Sequence, residues 1–174
     1  KVVQEINPTN KSVLDVATGT GSLAIALSTS AKQVVGIDLS SKMLDVAKKK
    51  TQKPELSFLQ MDACKMAFPD NEFDIVTISL GLHDMPLEIR TAVLEEAKRV
   101  LKENGELYIL EYDLPLTNVR KRVSAYLIYT FESRYYLPFL KLNLINYLED
   151  LGFKHENKTN YLFGHLQLVK LTKK

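Results

Sequence analysis

Short apolar runs of strand length alternate with segments of helical periodicity through most of the chain. Five such runs fall at 13–17, 34–37, 56–61, 73–80 and 107–110. Between them apolar side chains recur at the spacing of an amphipathic helix. Strands that alternate with helices predict a parallel sheet with helices on both faces, and near-continuous apolar strands fit a sheet that is buried on both sides.

The last part of the chain has a different pattern. Two strand-like runs lie at about 153–161 and 165–172, with Gly164 near the turn and no helix between them. Such strands pair as an antiparallel hairpin, which we expect at one edge of the sheet. The predicted fold class is therefore α/β, a Rossmann-like doubly wound sheet, mostly parallel with an antiparallel C-terminal hairpin strand, in a single domain over residues 1–174.

Capping residues predict where several helices begin and end. Ser40 or Ser41 can cap the helix that carries the apolar positions after it. Pro86 is expected to open another helix, because proline is favoured in the first turn. Gly105 stands where that helix would end with a left-handed C-cap.

Two further helical segments are expected before the final hairpin. One runs from Thr117 to about Tyr136 and is rich in aromatic residues, and the other runs from Leu140 to Leu151, ended by Gly152. The aromatic segment and the residues after it, about 117–139, predict a helical insertion that covers the substrate. An ordinary amphipathic helix packed on the sheet edge is an equal alternative, and contact with a membrane surface is a third.

Composition and charge narrow the classes of function. Apolar residues make up 45% of the 174 residues, charged residues 25%, and the net charge is +2, which gives no electrostatic signature for nucleic acid. The single cysteine, Cys64, excludes an internal disulfide framework and fits a reducing compartment, so we expect a cytoplasmic protein. No apolar run reaches the ~20 residues of a membrane span. The chain begins with lysine, which leaves open whether N-terminal helices are missing.

The sharpest local feature is the glycine-containing loop between the first strand and the following helix. It reads DVATGTGS over residues 15–22. Glycines allow a tight turn and a close approach of a ligand to the main chain, and the helix N-terminus offers unpaired N–H groups. Ligands of open α/β sheets bind at the carboxyl ends of the strands, so this loop is predicted to be a ligand site.

The glycine loop alone fits two cofactors. Gly19-x-Gly21-x-x-Ala24 satisfies the relaxed dinucleotide fingerprint, and Asp38 at the end of the second strand can accept from both hydroxyls of a ribose. These features serve NAD and S-adenosylmethionine (SAM) alike. An alternative role for Asp38 is to cap the helix that follows it.

Three features favour SAM over a nicotinamide. Asp15 lies inside the first strand, where a buried carboxylate is costly unless it orders the loop and reaches toward an ammonium group, which SAM has and NAD lacks. Asp62, after the third strand, can accept from an adenine amino group. The closing hairpin is foreign to the usual dinucleotide fold, whose sheet stays parallel.

At this point the chain resembles the class I SAM-dependent methyltransferases. The stretches VLDVATGTGSLA (13–24), VGIDLSSKM (35–43), MDA…FPD (61–70), FDIVTISLGL (73–82) and VLKENGELYIL (100–110) are similar to their motifs, in order and with their spacing. The nearest subgroup comprises the ubiquinone- and menaquinone-biosynthesis C-methyltransferases and similar small-molecule enzymes. The resemblance implies a seven-stranded sheet with the last strand inserted antiparallel.

The resemblance also implies the roles of individual residues. Asp15 and Gly19 would hold the amino-acid end of SAM, Gly21 would allow close approach below the sugar, and Asp38 would bind the ribose. Met43 would pack on the adenine, while Asp62 and the Ala63 backbone would meet its amino group. Ser79 and Leu80 would flank the methionine portion. The full set of expected cofactor-binding residues is Asp15, Ala17, Thr18, Gly19, Gly21, Asp38, Leu39, Met43, Asp62, Ala63, Ser79 and Leu80.

The acceptor side carries fewer signals. His83 is the candidate catalytic residue, as a general base or as a group that orients the acceptor, because its ordinary pKa suits proton transfer near neutral pH. Asp84 is a candidate helix cap, and Glu111 and Asp113 follow the fifth strand toward the same edge. The three histidines lack the spacing of metal ligands, so no metal is expected.

The predicted function is transfer of a methyl group from SAM to a small-molecule acceptor, such as a quinol-like or aromatic ring compound. Two alternatives stay open: an NAD(P)-dependent oxidoreductase and a non-catalytic SAM-binding protein. A base-amino methyltransferase motif is absent after the fourth strand, where residues 79–82 read SLGL, so no nucleic-acid partner is expected. Stable membrane insertion is not expected, peripheral contact stays open, and the sequence does not determine the oligomeric state.

Overall fold

The computed structural model describes residues 1–114, 123, 126, 129, 130 and 132–174. Its strands are β1 (Ser12–Val16), β2 (Gln33–Asp38), β3 (Leu56–Gln60), β4 (Phe73–Ser79), β5 (Leu101–Tyr112), β6 (Phe153–Tyr161) and β7 (Leu166–Lys173). Its helices are α1 (Val2–Ile6), α2 (Ser22–Leu27), α3 (Ser41–Lys50), α4 (Leu87–Val100), α5 (Tyr136–Leu140) and α6 (Leu144–Asp150). Short 3₁₀ turns cover Leu82–Asp84 and Leu162–Gly164.

The strands form one seven-stranded sheet in the order β3-β2-β1-β4-β5-β7-β6. The five strands from β3 to β5 pair in parallel, whereas β7 pairs antiparallel with both β5 and β6. The fold class and the inserted antiparallel strand are therefore confirmed. Strand order reverses between β1 and β4, and the crevice at such a reversal, beyond the carboxyl ends of the strands, is where ligands bind in open α/β sheets.

Alternate side chains of the central strands point to two separate cores. On β1, Leu14 belongs to the cluster that packs against α4 and α6, while Val13 belongs to the cluster that packs against α1, α2 and α3. Both side chains are 0% exposed. Because the centre of the sheet is covered on both faces, β1, β2 and β4 are apolar along most of their length, which is why they appear in the sequence as continuous runs rather than alternating ones.

Several predicted helix ends are confirmed. The Ser40 hydroxyl accepts from the backbone N–H of Met43 at the start of α3, and Pro86 immediately precedes α4. Gly152 has a φ of +81° after α6, the left-handed conformation expected of a glycine that ends a helix.

The expected C-cap at Gly105 is wrong. Helix α4 ends at Val100, and Leu101 already pairs with Phe73 as the first residue of β5. The pairing then moves from Leu101 to Glu106 on β5 while it moves only from Phe73 to Ile75 on β4, so Gly105 lies in a bulge of the strand. A side chain there would come within 2.7 Å of Leu101, and this crowding explains the glycine without a left-handed turn.

The helix expected from Leu140 to Leu151 starts later than predicted. Asn143 caps α6 by accepting from the N–H of Asn146, and the separate helix α5 precedes it. About half of the helical insertion expected at about 117–139 lies outside the described residues, and the insertion stays a prediction. Among the helices of the described ranges, none has the length and apolar character to cross a membrane.

Candidate active site

The glycine loop joins β1 to α2, and its two glycines serve different purposes. Both have positive φ, +54° at Gly19 and +75° at Gly21. A side chain at Gly21 would come within 2.6 Å of the Phe58 ring and 2.9 Å of Ala47, so this glycine allows α2 to pack closely on its neighbours. A side chain at Gly19 would meet no atom within 4 Å, which leaves open space for a ligand beside the main chain.

Asp15, in β1, anchors the glycine loop through hydrogen bonds. Its side chain is 1% exposed, and its carboxylate accepts hydrogen bonds of 2.6 Å from both the Thr18 and the Thr77 hydroxyls. Burial raises the pKa of Asp15 to about 6, against the lowering effect of the two threonines. The carboxylate thus ties the loop to β4. Its contact with the ammonium group of a cofactor stays a prediction.

Asp38 bridges the loop and the start of α3. One carboxylate oxygen accepts from the Gly19 N–H and the other from the Ser40 N–H, each at 2.8 Å. The group therefore organises the start of the helix, as the alternative role suggested, and it also lies against the glycine loop, while its contact with a ribose stays a prediction. Each oxygen keeps a second lone pair, so the carboxylate can still accept from the two hydroxyls of a ribose.

A cavity of about 300 Å³ lies beyond the ends of β1, β2 and β3. Five of the predicted cofactor-binding residues line it, namely Ala17, Asp38, Leu39, Asp62 and Ala63. The rest of its wall was missed by sequence reasoning and consists of Ile37, Met61, Cys64, Asp84, Met85, Pro86, Ile89 and Val93. Three carboxylates, Asp38, Asp62 and Asp84, on a mostly apolar wall suit a flat aromatic base carried on a hydroxylated sugar.

The other predicted cofactor residues lie around this cavity without lining it. Met43 is 46% exposed on α3. Leu80, directly after Ser79, is 40% exposed and has a φ of +52°, and Ala17 across the crevice has a φ of +53°. Non-glycine residues seldom adopt this conformation, and two of them at neighbouring strand ends mark a loop geometry that the surrounding structure imposes.

His83 lies in the 3₁₀ turn after β4 and is 2% exposed. Its Nδ1 is 2.8 Å from a carboxylate oxygen of Glu111, and its Nε2 is 3.2 Å from a carboxylate oxygen of Glu132. The rings of Tyr112 and Tyr136 pack edge-on against the imidazole. Burial alone would lower the pKa of His83, but the hydrogen bond and charge of Glu111, with the charges of Asp84 and Glu132, raise it.

Glu111 is the residue that organises this side of the site. It is 0% exposed at the end of β5, and its Oε1 accepts from the Leu82 N–H at 2.7 Å while its Oε2 meets the His83 ring. Glu132 is fixed in turn by the Tyr112 hydroxyl, which donates to its Oε1 at 2.9 Å. A carboxylate, an imidazole and a second carboxylate thus lie in one row of short polar contacts, in which the proton positions depend on the tautomer of His83.

Two expectations about nearby acids change. Asp84 makes no side-chain cap at α4, and its Oδ2 lies 3.7 Å from the Nε2 of His83 instead. Asp113 faces Lys158, with which it forms an ion pair of 2.9 Å. Glu132 lay outside every sequence motif, and only its acidic character in an aromatic segment could have suggested it.

His83 stands between the cofactor cavity and a second one. Its neighbour Asp84 lines the first, whereas Tyr112 and Phe139, whose rings contact the imidazole, line a cavity of about 280 Å³. The hydroxyl of Tyr136, a fully buried residue, has no hydrogen-bond partner within the described part of the chain. A buried polar atom without a partner is costly, but Tyr136 lines neither cavity, so this hydroxyl does not by itself mark a ligand site.

Comparison with known proteins assigns this chain to a family. Residues 14–109, more than half of the chain, match the family model described as "Methyltransferase domain". The chain is 39% identical over 142 residues to the demethylmenaquinone methyltransferase of Thermotoga maritima, covering 80% of this chain and 58% of that protein. It is 39% identical over 127 residues to the enzyme of the same name from Staphylococcus saprophyticus, covering 70% and 54%. The chain therefore spans a little over half the length of these relatives.

Solved structures agree on the fold. A protein from Pyrococcus horikoshii superposes with a TM-score of 0.77 at 21% identity, over 99% of this chain and 86% of that one. An S-adenosylmethionine-dependent methyltransferase from Mesorhizobium loti superposes with a TM-score of 0.73 at 16% identity, over 98% and 95%. At these identities the likeness concerns the fold alone. Because the family model covers most of the sheet and the whole glycine loop, this chain belongs to the methyltransferase-domain family.

Proposed function

We propose that this chain transfers a methyl group from SAM to a small-molecule acceptor by in-line displacement. The observation that carries the proposal is the cavity beyond β1–β3, in which Asp38 and Asp62 stand at the ends of neighbouring strands beside the open space at Gly19. Asp38 would accept from the ribose hydroxyls and Asp62 from the adenine amino group. When bound, SAM supplies a methyl carbon that its sulfonium already activates.

The acceptor is proposed to be a quinol-like or other aromatic ring compound. The relatives named above are demethylmenaquinone methyltransferases. The rings of Tyr112 and Phe139, which line the second cavity and contact the imidazole of His83, would pack on a flat acceptor.

We assign His83 the role of orienting the acceptor. Both of its ring nitrogens face carboxylates, Glu111 at 2.8 Å and Glu132 at 3.2 Å, so neither is directed at an acceptor whose proton it could take. Orientation matters for this reaction because alignment of nucleophile and methyl carbon, with water excluded, supplies most of the catalysis.

Partners and location are inferred from fewer observations. Leu162 and Phe163, at the turn beside the carboxyl end of β5, are 66% and 101% exposed, and they support peripheral contact with an apolar surface. The free cysteine Cys64 supports a cytoplasmic location.

Isothermal titration with S-adenosylhomocysteine tests the cofactor, with NAD as the control. We expect saturable binding of S-adenosylhomocysteine alone. Asp38→Ala should weaken it on the order of 100-fold, since two charge-assisted hydrogen bonds are worth about 1.5–3 kcal/mol each and part is regained from water. Asp45→Ala, on the exposed face of α3, is the matched control and should bind as the wild type does.

Either alternative predicts a different result. Preferential binding of NAD would favour the oxidoreductase. Binding of S-adenosylhomocysteine without methylation of any quinol, phenol or amine offered would favour a non-catalytic SAM-binding protein.

A further inference from the structure

We propose that His83, Asp84 and Glu132 bind a divalent cation beside the cofactor cavity. The Nε2 of His83 and one carboxylate oxygen of each acid all lie within 4.8 Å of one another. The Nε2 is 3.2 Å from the Glu132 oxygen and 3.7 Å from the Asp84 oxygen. Metal–ligand bonds of about 2.0–2.2 Å separate adjacent ligands by roughly 3.0–3.5 Å in octahedral or tetrahedral geometry. The spacing to Glu132 fits this range, and the spacing to Asp84 is slightly longer, so a small shift of the half-exposed Asp84 would complete one coordination shell.

The groups behind the three ligands are arranged as they are around metal ions in proteins. A histidine that binds a metal almost always donates its other ring N–H to a carboxylate or carbonyl, which fixes the tautomer. Here Nδ1 faces the buried Glu111 at 2.8 Å, so the Nε2 lone pair points toward Glu132. Glu132 is itself held through its other oxygen by the Tyr112 hydroxyl.

This arrangement leaves two acceptors facing each other. If the proton of the neutral ring lies on Nδ1, the Nε2 lone pair meets a carboxylate oxygen at 3.2 Å, and this contact is repulsive unless a positive charge lies between the atoms. A second proton on the ring or a metal ion would each supply that charge. We favour the cation, because it would also bind the carboxylate of Asp84. A proton on Nε2 would not, since the Asp84 oxygen is 3.7 Å from that nitrogen.

Charge balance favours the same occupant. The ion pairs described for Asp84, Glu111 and Glu132 all lead to the single group His83, so one imidazolium would face three carboxylates. Arg90, close by, gives its donors to the carbonyl oxygens of Leu82 and Met85. Glu111 is fully buried, whereas the side chains of Glu132 and Asp84 are 21% and 49% exposed, so solvent screens part of this negative charge. An ion of charge +2 beside a neutral His83 supplies more of the remaining compensation than a proton does.

The ligand set indicates which ions fit. One imidazole and two carboxylates suit Mn²⁺ or Zn²⁺ better than they suit ions that prefer thiolates. Three protein ligands leave positions open on the side where Asp84 reaches the cofactor cavity. Resting on the proposed function, those positions would hold an oxygen of the acceptor and so orient it, which is the role assigned above to His83.

Equilibrium binding of Mn²⁺ to the untagged, chelator-treated protein, followed by electron paramagnetic resonance, tests the site, with Zn²⁺ as competitor. We expect one Mn²⁺ per chain, displaced by Zn²⁺. Glu132→Gln should weaken binding at least 10-fold while preserving the fold, since the amide can still bond both Tyr112 and His83. Glu111→Gln should weaken it about 10-fold by releasing the histidine tautomer.

Asp113→Asn is the matched control, because it removes an acid at the same end of β5 that pairs with Lys158 instead. It should change Mn²⁺ affinity less than 2-fold. Absence of Mn²⁺ or Zn²⁺ binding up to 1 mM, on the order of the weakest biological cation sites, would overturn the proposal, as would equal binding by wild type and Glu132→Gln. S-adenosylhomocysteine titration of the same samples separates this failure from a failure of the methyltransferase proposal.

Discussion

The cofactor side and the acceptor side of this site are held together in different ways. On the cofactor side, Asp38 and Asp62 accept from backbone N–H groups, those of Gly19, Ser40 and Cys64. On the acceptor side, His83 is held by the side chains of Glu111 and Glu132, which lie 28 and 49 residues further along the chain. Backbone N–H donors are neutral dipoles that stay the same at every pH. The contacts of the acceptor side, by contrast, depend on which side chains carry protons or bind an ion.

This contrast teaches where the site can vary. A cofactor common to a family needs a fixed cradle, and main-chain groups supply one whatever the surrounding side chains are. An acceptor that differs between members needs exchangeable side chains on loops, which is where His83, Asp84 and Glu132 lie. Mutations on the two sides should therefore have distinguishable effects on stability and on cofactor binding.

The largest effect is expected on the acceptor side, from Glu111→Ala. Removing the carboxylate leaves the Leu82 N–H and the His83 ring without their buried partner, which should cost about 4 kcal/mol in the free energy of unfolding. Urea denaturation measures it. Asp113→Ala should cost less than about 1 kcal/mol, because its ion pair with Lys158 is partly exposed. Equal losses from the two variants would contradict the organising role of Glu111.

The two glycines sharpen the comparison within the cofactor side. Gly21→Ala should cost about 3 kcal/mol of stability, because the new methyl group meets Phe58 and Ala47 and the φ is positive. Gly19→Ala should cost only about 1 kcal/mol, since it has the positive φ but open space around it. The reverse is expected for S-adenosylhomocysteine titration, where Gly19→Ala should lose more affinity than Gly21→Ala. Equal effects on both properties would mean that the loop acts as one unit.

A smaller effect is expected from the pH dependence of Asp15. Its pKa is about 6 in the folded protein and near 3.8 when exposed, so between these values the native state binds more protons than the unfolded state. Its contribution to the free energy of unfolding therefore falls by about 2–3 kcal/mol in total as pH rises from about 4 to 6. Above pH 6 this contribution no longer changes. Urea denaturation of wild type and Asp15→Asn at several pH values should give a difference that follows this curve.

Asp74 provides the opposite sign for comparison. Despite its partial burial, its hydrogen bonds with Lys102 and Ser12 hold its pKa at about 2, so its contribution is present above pH 4 and is lost as pH falls toward 2. The free energy of unfolding of wild type minus that of Asp15→Asn is expected to fall with pH. If it rose instead, burial would not disfavour the ionised form of Asp15.

The two sides also differ in how far the sequence predicts them. The strands, the glycine loop, Asp38 and Asp62 follow from short patterns, because strand, turn and acid adjoin one another along the chain. The wall formed by Met85, Ile89 and Val93 was not predicted, since an apolar helix position looks the same whether it packs on the sheet or lines a cavity. The grouping of His83 with Glu132 depends on how distant segments fold together, which no local pattern records.

The bulge at Gly105 was missed for a related reason. A glycine after a basic helix end is the usual sign of a left-handed C-cap. Here the chain passes directly from α4 into β5, and crowding against Leu101 selects the same residue type. Glycine is selected both by a left-handed φ and by crowding of the main chain, and the sequence alone does not distinguish these two causes.

The place of β7 in the sheet has a consequence for synthesis on the ribosome. This strand lies between β5 and β6 although it follows both in the chain, and it pairs with β5 from Glu106 to Tyr112. While residues 166–173 are still inside the exit tunnel, β5 is left with one unpaired edge and β6 has no neighbour to join. Translation that pauses there would leave the free edge of β5 as a template for pairing with other nascent chains, until β7 emerges and covers it.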